Sequence, residues 1–128
     1  MTFRDLNLSN PLWNALEDAG MVHPTTIQKK ALPVIMSGRD VQAIAQTGTG
    51  KTIAYLLPLM KSWTFTKSRH ASILIIVPTR ELAVQVMEEA HMLGKYMNII
   101  ILSLIHILKI KENWRNDERM LKHFGYNE

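Results

Sequence analysis

Ala45-Gln46-Thr47-Gly48-Thr49-Gly50-Lys51-Thr52 brings together the residue types that hold a phosphate chain. Glycines let successive backbone N–H groups turn inward toward phosphate oxygens. Lys51 carries a point charge to the terminal phosphates, and the Thr52 hydroxyl is a ligand for Mg²⁺. Gln46, Thr47, Gly48, Thr49 and Gly50 complete the loop. The pattern is Gly-x-x-x-x-Gly-Lys-Ser/Thr with Ala45 in the place of the first glycine. A glycine-rich connector would show similar letters, but a short apolar run before the loop and helical spacing after it favour the phosphate reading. The ligand expected is a nucleoside triphosphate with magnesium.

The elements that must position this loop follow from periodicity. Asn10 is expected to cap a first helix, with Pro11 at its first position, Leu12, Ala15, Leu16 and Ala19 on one face, and Gly20 at its end. Pro24-Thr25-Thr26 opens a second helix carrying Ile27, Ala31 and Leu32, which Pro33 is expected to break or kink. Residues 41–45 read as a strand. Residues 51–63 read as a helix with Pro58 as a kink. The β-branched run at 73–77 has the composition of a strand covered on both faces, and the helix after Pro78-Thr79 runs to Gly94 with Leu82, Ala83, Val86, Met87 and Ala90 inward. A third strand begins over 98–101. Strands alternating with crossover helices imply right-handed βαβ units, a parallel sheet, and ligand sites at the carboxyl ends of its strands. The fold class is α/β of the P-loop NTPase type.

With 128 residues the chain has room for one domain with its own core. Fifteen Lys and Arg against eleven Asp and Glu leave a formal charge of +4, compatible with a polyanionic partner without demonstrating one. There is no cysteine, which rules out disulfides and thiolate metal sites and fits a reducing, cytoplasmic setting. Neither an export signal nor a membrane span is read. His23, His70, His91, His106 and His123 lack metal-ligand spacing, and Met36, Met60, Met87, Met92 and Met97 read as core filler. Glu88-Glu89 and Lys29-Lys30 read as solvated helix faces.

In order along the chain, Gly20-Met21-Val22-His23-Pro24-Thr25-Thr26-Ile27-Gln28, the loop 45–52, and Pro78-Thr79-Arg80-Glu81-Leu82-Ala83 resemble the first three signatures of the DEAD-box RNA helicases, most like their bacterial RhlE-like members. The resemblance implies that residues 1–101 form part of a RecA-like ATP-binding domain with a parallel sheet flanked by helices, its Q motif lying within residues 1–29. It also implies that Phe3, upstream of Gly20, supports the adenine-reading segment. Chemistry supports Gln28 in that role, because its amide can accept from the adenine N6 amino group while donating to N7. Pro78, Thr79, Arg80 and Glu81 lie where the family touches RNA backbone, a contact that is blind to base identity and weakens with salt. As a purely local matter, Thr79 serves equally well as an ordinary helix cap.

Hydrolysis in this family needs an acidic pair at a strand end, the Asp-Glu-Ala-Asp of its name, and the chain has none. Glu17-Asp18 lies in the first helix and Asp117-Glu118 in the wrong surroundings. The second domain is also absent. The expectation is thus the N-terminal fragment of an ATP-dependent RNA helicase, with Lys51 and Thr52 as catalytic groups; the alternative is a nucleotide-binding fragment without turnover or unwinding. Beyond residue 101 the resemblance stops. Residues 102–107 can be encoded by a run resembling the transposase end sequence of sequencing libraries, so residues 102–128 read as a non-family tail from a chimeric reading frame. The competing reading extends the third strand through Ile107 and adds a covering helix with Ile110, Trp114, Leu121 and Phe124 on one face.

Overall fold

The computed structural model describes residues 1–67 and 70–104. The expectations for residues 105–128 lie outside the described residues.

Among the described residues, four helices form where periodicity places them. A 3-10 turn at Phe3–Leu6 precedes them, closed by the Thr2 N–H donating to Asp5 Oδ2 at 2.6 Å; no spacing rule had marked it. Helix α1 spans Asn10–Asp18. Its cap is Ser9 rather than Asn10, because Pro11 suits a first turn that has already begun. Helix α2 spans Thr26–Met36 and continues past Pro33, which therefore does not break it. Helix α3 spans Lys51–Ser62, with Pro58 inside it and buried, and α4 spans Arg80–Leu93, with Gly94 as its cap.

The helices meet in one core. Helix α2 lies against α3, and α4 touches both α3 and α1. Phe3, Leu12, Leu16, Leu32, Leu57 and Leu93 are fully enclosed, with Ile53, Leu56, Met60 and Ala90 beside them. Within α4, Val86 and Ala90 are buried as expected, while Leu82, Ala83 and Met87 are half-buried. Met60 fills the core, but Met36, expected there too, is 38% exposed at the end of α2.

The three expected strands are the main departure. Among the described residues, 41–45, 73–77 and 98–101 form no β-ladder. Burial nonetheless alternates with a period of two: Ile75, Ile99 and Ile101 pack against the helical core, while Leu74, Ile76 and Ile100 are 78%, 85% and 83% exposed. The run at 73–77 is therefore covered on one side rather than on both. A helix closes its hydrogen bonds within itself, whereas a strand needs a neighbour at the right register, so only the helices follow from local sequence alone.

Candidate functional site

The loop 45–52 leads directly into the N-terminus of α3. Gly48 and Gly50 have φ of +78° and +81°, the left-handed region that a β-carbon disfavours. Their surroundings differ. A β-carbon at Gly48 would meet nothing within 4 Å, whereas one at Gly50 would lie 2.4 Å from Gln28 Nε2. Gly48 thus faces open space that a phosphate can enter, while Gly50 is pressed against α2.

That contact is a bracket. Thr25 caps α2 and forms a box with Gln28: the Thr25 N–H donates to Gln28 Oε1 at 2.9 Å. From there Gln28 Nε2 donates to the Gly50 carbonyl at 3.1 Å, and the Thr25 hydroxyl donates to the Thr49 carbonyl at 2.8 Å. Gln28 is 4% exposed, the one buried polar residue among those described, so this pairing also satisfies an amide that burial would otherwise penalise. The amide retains one Nε2 hydrogen and one Oε1 lone-pair direction with which to meet a base.

Within the loop, Lys51 Nζ donates to the Ala45 carbonyl at 2.5 Å, and the Thr49 hydroxyl donates to the Gln46 carbonyl at 2.6 Å. Gln46, Thr47 and Gly48 are exposed, and Thr52 is half-buried in the first turn of α3. Lys51 could exchange this neutral carbonyl for a phosphate oxygen at little cost, since a charge-assisted bond is the stronger of the two. Glycine-directed N–H groups, a lysine ammonium and a hydroxyl at a helix N-terminus are together suited to a triphosphate and its metal ion.

Phe3 is placed elsewhere. It is 1% exposed in the core, and its backbone N–H donates to the Val22 carbonyl at 3.1 Å. Phe3 therefore holds the 20–25 segment from behind, without entering the cleft.

Across from the loop lies a wall supplied by α4. Leu82, Gln85, Glu88 and Glu89 share a cleft of about 520 Å³ with Thr47, Gly48, Gly50, Lys51 and Thr52. Glu88 is exposed, as a solvated face would be, but Glu89 is half-buried and burial pushes its carboxyl above the ordinary range. Sequence reading missed this wall; spacing of three, six and seven residues from Leu82 was the available signal.

Pro78, Thr79, Arg80 and Glu81 are all exposed at the start of α4. The Thr79 hydroxyl accepts from the Leu82 N–H at 3.2 Å, so it is engaged as a cap while the Arg80 guanidinium stays at the surface. Behind α4, Asp18 at the end of α1 accepts from Lys95 Nζ at 2.8 Å and from the Tyr96 hydroxyl. No helix among the described residues is long and apolar enough to cross a membrane. No group of three or more His, Cys, Asp or Glu is gathered for a metal among them.

The chain is similar to known proteins along most of its length. The pattern of the DEAD/DEAH box helicase family matches residues 25–124. The ATP-dependent RNA helicase SrmB of Escherichia coli is 45% identical over 106 residues, covering 80% of this chain and 24% of that protein. The probable ATP-dependent RNA helicase ddx6 of Dictyostelium discoideum is 43% identical over 101 residues, covering 79% of this chain and 24% of its own length. Among solved structures, the RNA helicase Prp28 of Chaetomium thermophilum, bound to ADP, aligns with a TM-score of 0.70 at 34% identity, over 76% of this chain and 24% of that one. A DEAD box protein of Methanococcus jannaschii aligns at 0.66 with 37% identity, over 73% of this chain and 25% of that one. The chain spans about a quarter or less of the length of the curated relatives it matches.

Proposed function

Because this chain belongs to the DEAD/DEAH box helicase family, we propose that it carries the ATP-binding part of an ATP-dependent RNA helicase. The observation that carries this reading is the open cradle at Gly48, with Lys51 and Thr52 beside it and Gln28 bracing the loop from behind. The backbone N–H groups of residues 46–50 and Lys51 would hold the phosphates, and Gln28 would select adenine with its remaining donor and acceptor. Phe3 supports that segment through Val22. Magnesium, held at the Thr52 hydroxyl, would neutralise phosphate charge and polarise the terminal phosphate. Pro78, Thr79, Arg80 and Glu81 would meet RNA backbone without reading bases, at the N-terminus of α4 where backbone N–H groups and helix dipole favour phosphate. A parallel sheet through residues 41–45, 73–77 and 98–101 is the arrangement the family fold would give these segments, in a cytoplasmic protein. Residues 102–128 are proposed as a non-family tail, a reading that the family match through residue 124 weighs against.

A second reading concerns these 128 residues by themselves: they bind ATP without turning it over. The acids lining the cleft are Glu88 and Glu89 of α4, not a strand-borne pair able to position water. Titration with ATP in magnesium, together with hydrolysis measured with and without RNA, tests both. Binding that Lys51→Ala weakens about tenfold or more, the effect of one charge-assisted bond, supports the proposal. Equal binding by Lys51→Ala refutes it, and RNA-stimulated hydrolysis by the 128 residues refutes the second reading.

A further inference from the structure

We propose that Glu89 makes the cleft's hold on ATP conditional on magnesium. The inference rests on the nucleotide site above and concerns the wall facing it. Lys51 is the one cation among the residues that line the cleft, while α4 presents Glu88 and Glu89 to the same space. ATP without metal brings several negative charges toward those carboxylates, and the repulsion grows where water is displaced. Glu88 is exposed and largely screened; Glu89 is half-buried, so its field reaches the cleft with less loss. A magnesium complex carries two fewer negative charges and meets Glu89 with attraction at the metal. Glu89 thus penalises the bare nucleotide and spares the complex, acting through charge without touching the phosphates.

The test titrates ATP against the 128-residue chain and its Glu89→Gln variant, each in excess magnesium and in EDTA. Glu89→Gln should tighten binding in EDTA about three- to tenfold, the effect of removing one unit charge from a partly screened site, and change binding in magnesium by less than about twofold. The ratio between the two conditions therefore falls. Glu89→Asp, which keeps the charge, should retain the original ratio, and Glu88→Gln should move it less than Glu89→Gln does. An unchanged ratio in Glu89→Gln with wild-type thermal melting overturns the inference, as does equal weakening in both buffers. Failure of the unsubstituted chain to bind ATP in either buffer instead overturns the nucleotide site itself, so the two failures are distinguishable.

Discussion

At the residue scale, Gly48 and Gly50 look alike in sequence and do different work. Both hold a left-handed backbone, which costs a substituted residue about 1 kcal/mol or more. Only Gly50 also lies where a β-carbon would strike Gln28 Nε2. Gly50→Ala should therefore displace the bracket from α2 and lower stability by about 2–3 kcal/mol, adding a lost buried hydrogen bond to the backbone strain. Gly48→Ala should cost about 1 kcal/mol and instead weaken ATP binding, because its methyl group would enter the proposed phosphate cradle. Thermal melting beside ATP titration separates them; equal melting losses would refute the distinction. Gln28 teaches the same lesson in reverse. Its suitability for adenine is readable from amide chemistry, but the Gly50 carbonyl as its partner is visible only once two distant segments are packed.

At the element scale, helices were legible and their junctions were not. Leu12 and Leu16 of α1, and Leu32 of α2, are buried as their spacing requires. The tie between α1 and the turn after α4 leaves no such trace, since Asp18 and Lys95 are far apart in the chain. Lys95 first, and the Tyr96 hydroxyl with it, hold the Asp18 carboxyl below its ordinary range. A carboxylate with a depressed folded-state pKa stabilises above the unfolded value, and that contribution is lost as pH falls through the folded value. Asp18→Asn should thus melt below the unsubstituted chain at neutral pH, with the gap closing in acid below the usual carboxylate range. The pair is exposed, so the effect is small and shrinks with salt. A gap that persists unchanged in acid would show that Asp18 acts otherwise than through its charge.

At the scale of the whole molecule, the described helices cover one side of the apolar segments, and the other side is exposed among the described residues. Leu74, Ile76 and Ile100 face outward, with Ile44 at 90% exposure. An exposed apolar surface of this kind favours association. Leu74→Lys with Ile76→Lys should therefore reduce concentration-dependent association in sedimentation velocity, while changing unfolding stability by about 0.5 kcal/mol or less per site, as expected for exposed positions. A large melting loss would mean that these side chains are packed in solution.

By itself the sequence determined the residue types of the loop and the four described helices, because both depend on neighbours within a few positions: glycines that free the backbone, a lysine and threonine suited to phosphate and metal, and apolar residues recurring each turn. Even Pro33 and Pro58 did not interrupt that local pattern. Only the tertiary structure decided that Thr25 and Gln28 brace the loop, that Phe3 sits in the core with its N–H on the Val22 carbonyl, and that Glu89 shares a cleft with Lys51 and Thr52. Those relations join residues tens of positions apart, whose meeting depends on which helix faces pack together rather than on any spacing in the chain.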